Sequence, residues 1–243
     1  MRSLPTRLPS QRARRAYAHH SPVWLFDLDN TLHDSSRSIF KVIDQKMTLA
    51  VQACLNTDAA HADVLRQRYW ERYGATVIGL EKHHHVNAAE FLRLSHDFDA
   101  RPLVHSERGL ARKFAHLPGR KVLLTNAPHD YARSVVKTLG LLPWFDMIWS
   151  IDHMRLQGQI RPKPSRALMR QVLAKLGTPA GQVILVEDTL KNLKSARQLG
   201  MRTVHVFHPG TPFSALHSGR NSYVNLRVSS LTQLLTGRRL LRR

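Results

Sequence analysis

The stretch VWLFDLDNTLHD, Val23 to Asp34, decides how the rest of the chain is read. Apolar residues lead directly into two aspartates one residue apart, and Asn30, Thr31 and Leu32 follow. A short apolar run bounded by polar residues is the pattern of a strand buried on both faces of a parallel sheet. Asp27 and Asp29 stand where such a strand ends. Side chains two residues apart in extended backbone start on the same side, so the two carboxylates begin as neighbours. They are also the first acidic residues of a chain with 37 Lys and Arg against 17 Asp and Glu, a net charge of +20.

The strand pattern of residues 22–28 recurs in RKVLLTN (120–126), FDMIWS (145–150), QVILVED (182–188) and RTVHVF (202–207). Helical patterns lie between these runs. One covers about Pro128 to Leu139, stopped by Gly140. A second covers 163–177, with Pro164 suited to its first turn and Gly177 to its end. A third runs to about Leu199. Strands alternating with helices predict an α/β fold, a doubly wound, Rossmann-like parallel sheet. Residues 34–101 differ. Ile39, Phe40, Ile43, Met47, Ala50, Val51 and Cys54 recur at helical spacing from Ser36 to about Leu55. Further helical patterns cover about 59–73, 87–94 and 106–116, with no strand from 34 to 101. The expected organisation is a core of 22–33 and 102–210, and an all-helical cap, 34–101, inserted after the first strand. A basic, disordered tail, 1–21, and a basic extension, 211–243, flank it, with a terminal helix over 231–241.

Composition narrows the function classes. No run of about 18 apolar residues exists, so no membrane span is expected. A single cysteine, Cys54, excludes an intramolecular disulfide and fits a reducing compartment. The Arg-rich N-terminal segment lacks the apolar core of a secretory signal, and the expected location is cytoplasmic. The 55 residues after Asp188 contain no acid. Basic ends of this kind are open to nucleic acid and other polyanions. No zinc-finger spacing, RNA-recognition signature or clear helix-turn-helix accompanies them. In His83–His85, adjacent helical side chains splay by about 100°, which argues against one shared zinc. Tyr69, Trp70 and Tyr73 are spaced like a packing face, and Trp70 is expected to pack.

The chemistry gathers at one sheet edge. In open parallel sheets, ligands bind beyond the carboxyl ends of the strands. Asp27 and Asp29 end the first strand, Thr125 and Asn126 the second, Glu187 and Asp188 the fourth, and Lys163 opens the helix after the third. Crowding Asp27, Asp29 and Asp188 is costly without a cation. Hard oxygen ligands with no Cys or His point to Mg²⁺ rather than zinc. A carboxylate such as Asp27 can attack phosphorus. A second carboxyl group can protonate the leaving oxygen and then activate water. Thr125, Asn126 and Lys163 can hold the phosphoryl oxygens. Taken singly, a D-x-D turn, a Thr-Asn turn, a Lys-Pro helix start and an acidic cap are ordinary features. Their order at the ends of successive strands is not.

With those residues in place, the chain from about 22 to 207 resembles the haloacid-dehalogenase-like hydrolases. DLDNTL resembles their first motif, LLTNA the second, RPKP the third and VEDTLKNLKSARQLGM the fourth. The resemblance implies Asp27 as nucleophile and Asp29 as general acid/base, which also offers its backbone carbonyl to the metal. It implies Thr125 and Lys163 as phosphate ligands and Asp188 as a Mg²⁺ ligand. The family often has an acid where Asn192 stands, which leaves Asn192 a role through water or a hydrogen bond. Within the cap, RYWERYGATVIGLEKHHHVNAAEF (68–91) resembles the pyrimidine 5′-nucleotidase branch, through Tyr73-Gly74, Gly79-Leu80, His84 and Val86-Asn87-Ala88. That implies a nucleoside monophosphate, UMP or CMP, with Tyr73, Gly79 and His84 as substrate contacts beside Asn126 of the second strand end. A phosphatase for a sugar or cofactor phosphate, or a phosphomutase, fits the same motifs. A dehalogenase fits them less well, because it needs no metal and lacks an acid at the position of Asp29. A protein that binds nucleic acid through its tails is the reading of a different class.

Overall fold

Each apolar run bounded by a turn becomes a strand of one sheet. A computed structural model describes residues 6–7, 21–208 and 222–237. Its strands are β1 (Thr6–Arg7), β2 (Val23–Phe26), β3 (Arg120–Leu124), β4 (Met147–Trp149), β5 (Arg155–Leu156), β6 (Gln159–Ile160), β7 (Val183–Glu187), β8 (Arg202–Val206) and β9 (Leu226–Val228). Its helices are α1 (Ile39–Leu55), α2 (Ala59–Tyr73), α3 (Thr76–His84), α4 (Ala88–Ser95), α5 (Leu110–Ala115), α6 (His129–Thr138), α7 (Arg166–Leu176), α8 (Leu190–Arg197) and α9 (Leu231–Thr236).

The main sheet has the order β1-β4-β3-β2-β7-β8-β9. The six strands from β4 to β9 in that order are parallel, and β1 pairs antiparallel with β4 at the edge. Thr6–Arg7 therefore depart from the expected unstructured tail, whose other residues up to 20 lie outside the described ones. The chain runs β2, β3, β4 to one side and then returns to β7 on the other side of β2. That reversal makes the carboxyl end of β2 the switch point where an open sheet forms its crevice.

Both faces of β2 are buried, as its apolar run requires. Trp24 and Phe26 face a layer with Phe114 of α5, Val135 and Val136 of α6, and Leu231 of α9. Val23 and Leu25 face Leu168, Met169 and Val172 of α7 and Leu193 of α8. Burying such a side chain stabilises the fold by about 1.5–3 kcal/mol. The main-sheet helices begin on polar caps where the sequence supplies them. Ser165 accepts from the Leu168 N–H to start α7, and Ser230 accepts from the Gln233 N–H to start α9. Helix α7 thus begins after Pro164, and Lys163 sits in the loop before it rather than in the first helical turn.

Between β2 and β3, α1 to α4 pack together with no strand among them. Val51, Leu65, Tyr69, Val77, Leu80 and Phe91 form their core, joined by Ile151 and Ile160 from the β4–β6 region. The β5–β6 hairpin turns on Gln157 and Gly158, both at positive φ as a two-residue hairpin loop requires. Its Arg155 meets Glu81 of α3 at 2.6 Å, so the hairpin braces the helical insert. One expectation for the insert is corrected. Trp70 is 54% exposed, and the buried aromatic of its trio is Tyr69. Gly79 is buried in α3, where a β-carbon would overlap the Cβ and ring of Tyr69. Its missing side chain serves the close crossing of α3 over α2, a packing role in addition to the one expected. No described helix is long and apolar enough to cross a membrane.

Gly79→Ala is expected to destabilise the protein by about 1–3 kcal/mol, the usual cost of overpacking. Thermal unfolding followed by circular dichroism checks this. An unchanged midpoint would show that the α2–α3 crossing relaxes freely.

Candidate active site

The carboxyl ends of β2, β3 and β7 deliver the expected residues to one place. β2 continues into Asp27, whose N–H donates to the Val186 carbonyl of β7, so the chain stays in register one residue past the strand. β7 ends on Glu187, with Asp188 next. Lys163 arrives from the loop before α7. Its buried ammonium donates to Asp27 Oδ1 at 2.5 Å and to Glu187 Oε2 at 2.7 Å. Carboxylate oxygens of Asp27, Glu187 and Asp188 lie within 4.8 Å of one another. This trio replaces the expected crowd of Asp27, Asp29 and Asp188. The reason is local. β2 ends at Phe26, and the chain bends at Leu28, whose carbonyl accepts from the Thr31 and Leu32 N–H groups. Strand alternation therefore does not carry to Asp29.

Asp29 turns instead to a set of its own. Its Oδ1 accepts from the Tyr131 hydroxyl at 2.8 Å, the Ser35 hydroxyl at 2.8 Å and His33 Nε2 at 3.2 Å. The loop that brings His33 and Ser35 is tied by Asn30, at φ 57°. Asn30 Oδ1 accepts from the Ser35 and Ser36 N–H groups and the Ser36 hydroxyl. Left-handed backbone suits Asn better than most residues, and here its side chain closes the turn as well.

The supporting residues explain how Lys163 is aimed. Asn126 accepts from the Lys163 N–H at 2.9 Å and donates to the Lys163 carbonyl at 3.0 Å. The expectation that its amide holds substrate is revised, since that amide is engaged with the loop carrying the ammonium. Thr125 is buried at the end of β3, its hydroxyl accepting from the Ala127 N–H at 3.0 Å. Asn192 donates to Glu187 Oε2 at 3.0 Å, the hydrogen-bonding role open to it. His205 donates from Nε2 to the Asp188 carbonyl at 3.0 Å and accepts from Arg227 on Nδ1 at 3.2 Å. His33, Ser35, Tyr131 and His205 were not singled out from the sequence, because lone polar residues in a loop, a helix or a strand carry no spacing signal; Asn30 stood in the quoted motif without a role.

In the insert, Tyr73 ends α2 and Gly74 caps it at φ 80°. A β-carbon on Gly74 would stand 3.9 Å from the Lys163 carbonyl, so this turn lies over the site loop. The half-buried Tyr73 pairs its hydroxyl with His83 Nε2 at 2.6 Å. His84 is exposed and paired with the Tyr69 hydroxyl at 2.7 Å. Among the described residues, the histidine run joins no group suited to a metal.

The charges are strained in an informative way. Burial and then the charge of Glu187 push both Asp27 and Asp188 well above the usual carboxylate range. Burial also opposes ionisation of Glu187, but Lys163 and the hydrogen bonds from Asp188 and the Thr189 N–H together hold Glu187 low. Burial opposes Asp29 likewise, and the bonds from His33, Ser35 and Tyr131 hold it below its ordinary value. Three carboxylates thus face a single ammonium. A hard divalent cation fits this donor set, because it relieves the crowding that raises Asp27 and Asp188. The side chain of Asp29 lies outside that set.

A model of the haloacid dehalogenase-like hydrolase family matches residues 23–200. Among solved structures, CbbY from Rhodobacter sphaeroides in complex with phosphate aligns with a TM-score of 0.60 at 18% identity, over 88% of this chain and 96% of that one. An L-2-haloacid dehalogenase from Xanthobacter autotrophicus aligns with a TM-score of 0.55 at 18% identity, over 88% and 97%. At these identities the likeness is one of fold. Phosphate metabolism protein 8 of Saccharomyces cerevisiae is 26% identical over 198 residues, 76% of this chain. The chain spans 61% of that protein's length.

Two outcomes are expected from this geometry. Lys163→Met leaves Asp27 and Glu187 buried without their cation. It should cost about 3–5 kcal/mol, read by urea unfolding at pH 7 in EDTA; an unchanged midpoint would show that the carboxylates are compensated elsewhere. The second concerns His96, which burial holds down to about 4. Between pH 6.5 and 4 the unfolded chain binds the extra proton, so His96 contributes stability that is lost as pH falls through that window. His96→Asn should flatten the loss by about 2 kcal/mol in unfolding curves taken at pH 4.5 and 7. Parallel curves for both proteins would refute the assignment.

Proposed function

The chain belongs to the haloacid dehalogenase-like hydrolases, and from that premise we propose that it is a Mg²⁺-dependent phosphomonoesterase. Asp27 attacks the phosphorus of a small phosphorylated metabolite, and an aspartyl-phosphate forms and is hydrolysed. The observation that carries this reading is the pairing of Asp27, held by Lys163 among three carboxylates, with a separately anchored Asp29. A halide leaves without a proton and needs no metal-holding set. A dehalogenase therefore has no use for either arrangement, whereas an alkoxide leaving group calls for both.

Asp27 and Asp188 would hold Mg²⁺, with the Asp29 carbonyl as a further oxygen; Glu187 is occupied by Lys163 and Asn192. The bound ion supplies positive charge against the phosphate's own. The chain's residues do the rest. Lys163 favours the ionised form of Asp27 against burial and the charge of Glu187, and stands ready to contact a phosphoryl oxygen. Thr125 faces the same edge. Asp29 gives a proton to the leaving oxygen and takes one from the attacking water. The helical insert acts as the cap that selects the substrate.

A pyrimidine nucleoside 5′-monophosphate, UMP or CMP, is the substrate we propose. Support comes from the resemblance of residues 68–91 and from Tyr73, whose neighbour Gly74 lies against the Lys163 loop. Tyr73 is the candidate base platform. His84 instead braces Tyr69, so a direct substrate contact is not assigned to it.

Phosphate release from a panel of nucleoside and sugar monophosphates tests this. Release should require Mg²⁺, vanish in EDTA and fall by about 10³-fold or more in Asp27→Asn. UMP or CMP should be the best substrate, and Tyr73→Ala should raise KM about tenfold for UMP but little for p-nitrophenyl phosphate, as base stacking predicts. A different best substrate would remove the nucleotidase assignment and keep the chemistry. Release indifferent to Asp27→Asn would remove both.

A further inference from the structure

Asp29 is held by one of its two oxygens. Oδ1 takes all three donors, the hydroxyls of Tyr131 and Ser35 and Nε2 of His33. No donor among the described residues reaches Oδ2, and the side chain is 20% exposed. The single hydroxyl proton of Ser35 goes to Asp29, so the proton between Ser35 Oγ and His33 Nε2, 3.0 Å apart, belongs to the imidazole. His33 is therefore a donor at Nε2. With its lone pairs taken up on Oδ1, Asp29 can carry a proton only on Oδ2. The fold has made two chemically equal oxygens unequal.

The three donors come from two parts of the chain. His33 and Ser35 belong to the loop closed by Asn30. Tyr131 comes from α6, and its buried ring is wedged by the segment that leaves the helical insert. His96 meets it edge-on at 5.2 Å, and Phe98 lies at 6.0 Å. His96 is fixed in turn by Ser95, whose hydroxyl lies 3.0 Å from its Nδ1. The ring of Tyr131 is thus where the insert bears on the oxygen that orients Asp29.

We propose that Tyr131 is a positioning residue that assigns the proton-carrying role to Oδ2 of Asp29, and that His96 and Phe98 make this assignment depend on the seating of the insert. The inference rests on the phosphomonoesterase reading. In the first step a carboxylate oxygen of Asp27 bonds to phosphorus and the bond from phosphorus to the leaving oxygen breaks. The proton on Oδ2 moves to that oxygen. In the second step the oxygen of water bonds to phosphorus, its proton passes to Oδ2, and the bond between Asp27 and phosphorus breaks. Without the Tyr131 hydroxyl, Oδ1 keeps only Ser35 and His33, both from one loop, and the insert loses its hold on how Oδ2 is aimed.

The leaving group separates positioning from folding. kcat/KM reports the first step, and an alkyl ester needs the proton where a p-nitrophenyl ester hardly does. Tyr131→Phe keeps the ring, its contacts with His96 and Phe98, and the midpoint of thermal unfolding within a few degrees. It should lower kcat/KM about 30-fold for two alkyl esters, UMP and glycerol 3-phosphate, and about threefold or less for p-nitrophenyl phosphate. His96→Leu and Phe98→Leu should show the same split in weaker form. Equal losses on alkyl and aryl esters, or no loss on either, would overturn the role of Tyr131. A normal split in Tyr131→Phe with none in the His96 and Phe98 variants would overturn the coupling to the insert. Wild-type protein that releases phosphate from none of the three esters would overturn the phosphomonoesterase reading and this inference with it.

Discussion

A lysine ammonium buried between two carboxylates is the constraint on which the rest of the structure depends. Lys163, Asp27 and Glu187 come from separate parts of the chain, and Lys163 and Glu187 are almost completely buried. Charges in such a place are stable only if each finds its partner with good geometry, since desolvation costs several kcal/mol per ion. The surrounding structure can be understood as the means of keeping that geometry. Parallel register between β2 and β7 sets Asp27 beside Glu187. The doubly bonded Asn126 holds the loop that carries Lys163. Asn192, one turn into α8, fills the remaining demand of Glu187. A sheet with strands on both sides of β2 is what allows three loops to converge there.

The same constraint separates the two aspartates of the opening motif. Had strand geometry continued through Leu28, Asp29 would have joined the crowded carboxylates and been raised with them. The bend after Asp27 removes it from Lys163 and gives it a different environment, where hydroxyls and an imidazole favour its ionised form. Two carboxyl groups two residues apart thus take opposite shifts, Asp27 upward and Asp29 downward, because burial is reinforced by carboxylates at the one and outweighed by donors at the other. Two residues of separation are enough because the chain leaves the strand after Asp27 and turns at Leu28, and Asn30 ties the loop that follows.

Much of this was legible in the sequence, and the gaps have physical reasons. The five main strands and the residues at their ends follow from apolar runs of a length that only buried strands need. Helices α1 and α2 follow from a sustained apolar period. Helix α3 was missed because Gly79 and the histidines break its apolar face; the reason for Gly79 is the ring of Tyr69, which no local pattern reveals. The β5–β6 hairpin was missed because its strands have two residues each, too few to alternate. At the site, charged residues at strand ends announced themselves. The residues that orient them did not. His33, Ser35 and Tyr131 matter only through distances set by tertiary packing, and Asn126, legible as a polar strand end, turned out to act on Lys163's backbone.

The chain's overall charge and its site point in opposite directions, and both fit one chemistry. The whole carries +20, while the site sets three carboxylates against one ammonium. An anionic ester, the substrate class proposed for the site, would meet a positive field on approach that raises its encounter rate. That field reaches only about a Debye length through salt, roughly 8–10 Å, and belongs to solvated groups such as Lys191, Lys194 and Arg166 beside the Lys163 loop. It cannot neutralise a phosphate pressed against Asp27 in a buried crevice, where repulsion between like charges is far stronger than in water. Attraction at long range and repulsion at contact are therefore handled by different groups. The exterior cations serve the first. In the proposed reaction the second falls to Lys163 and to the divalent cation that Asp27 and Asp188 would hold.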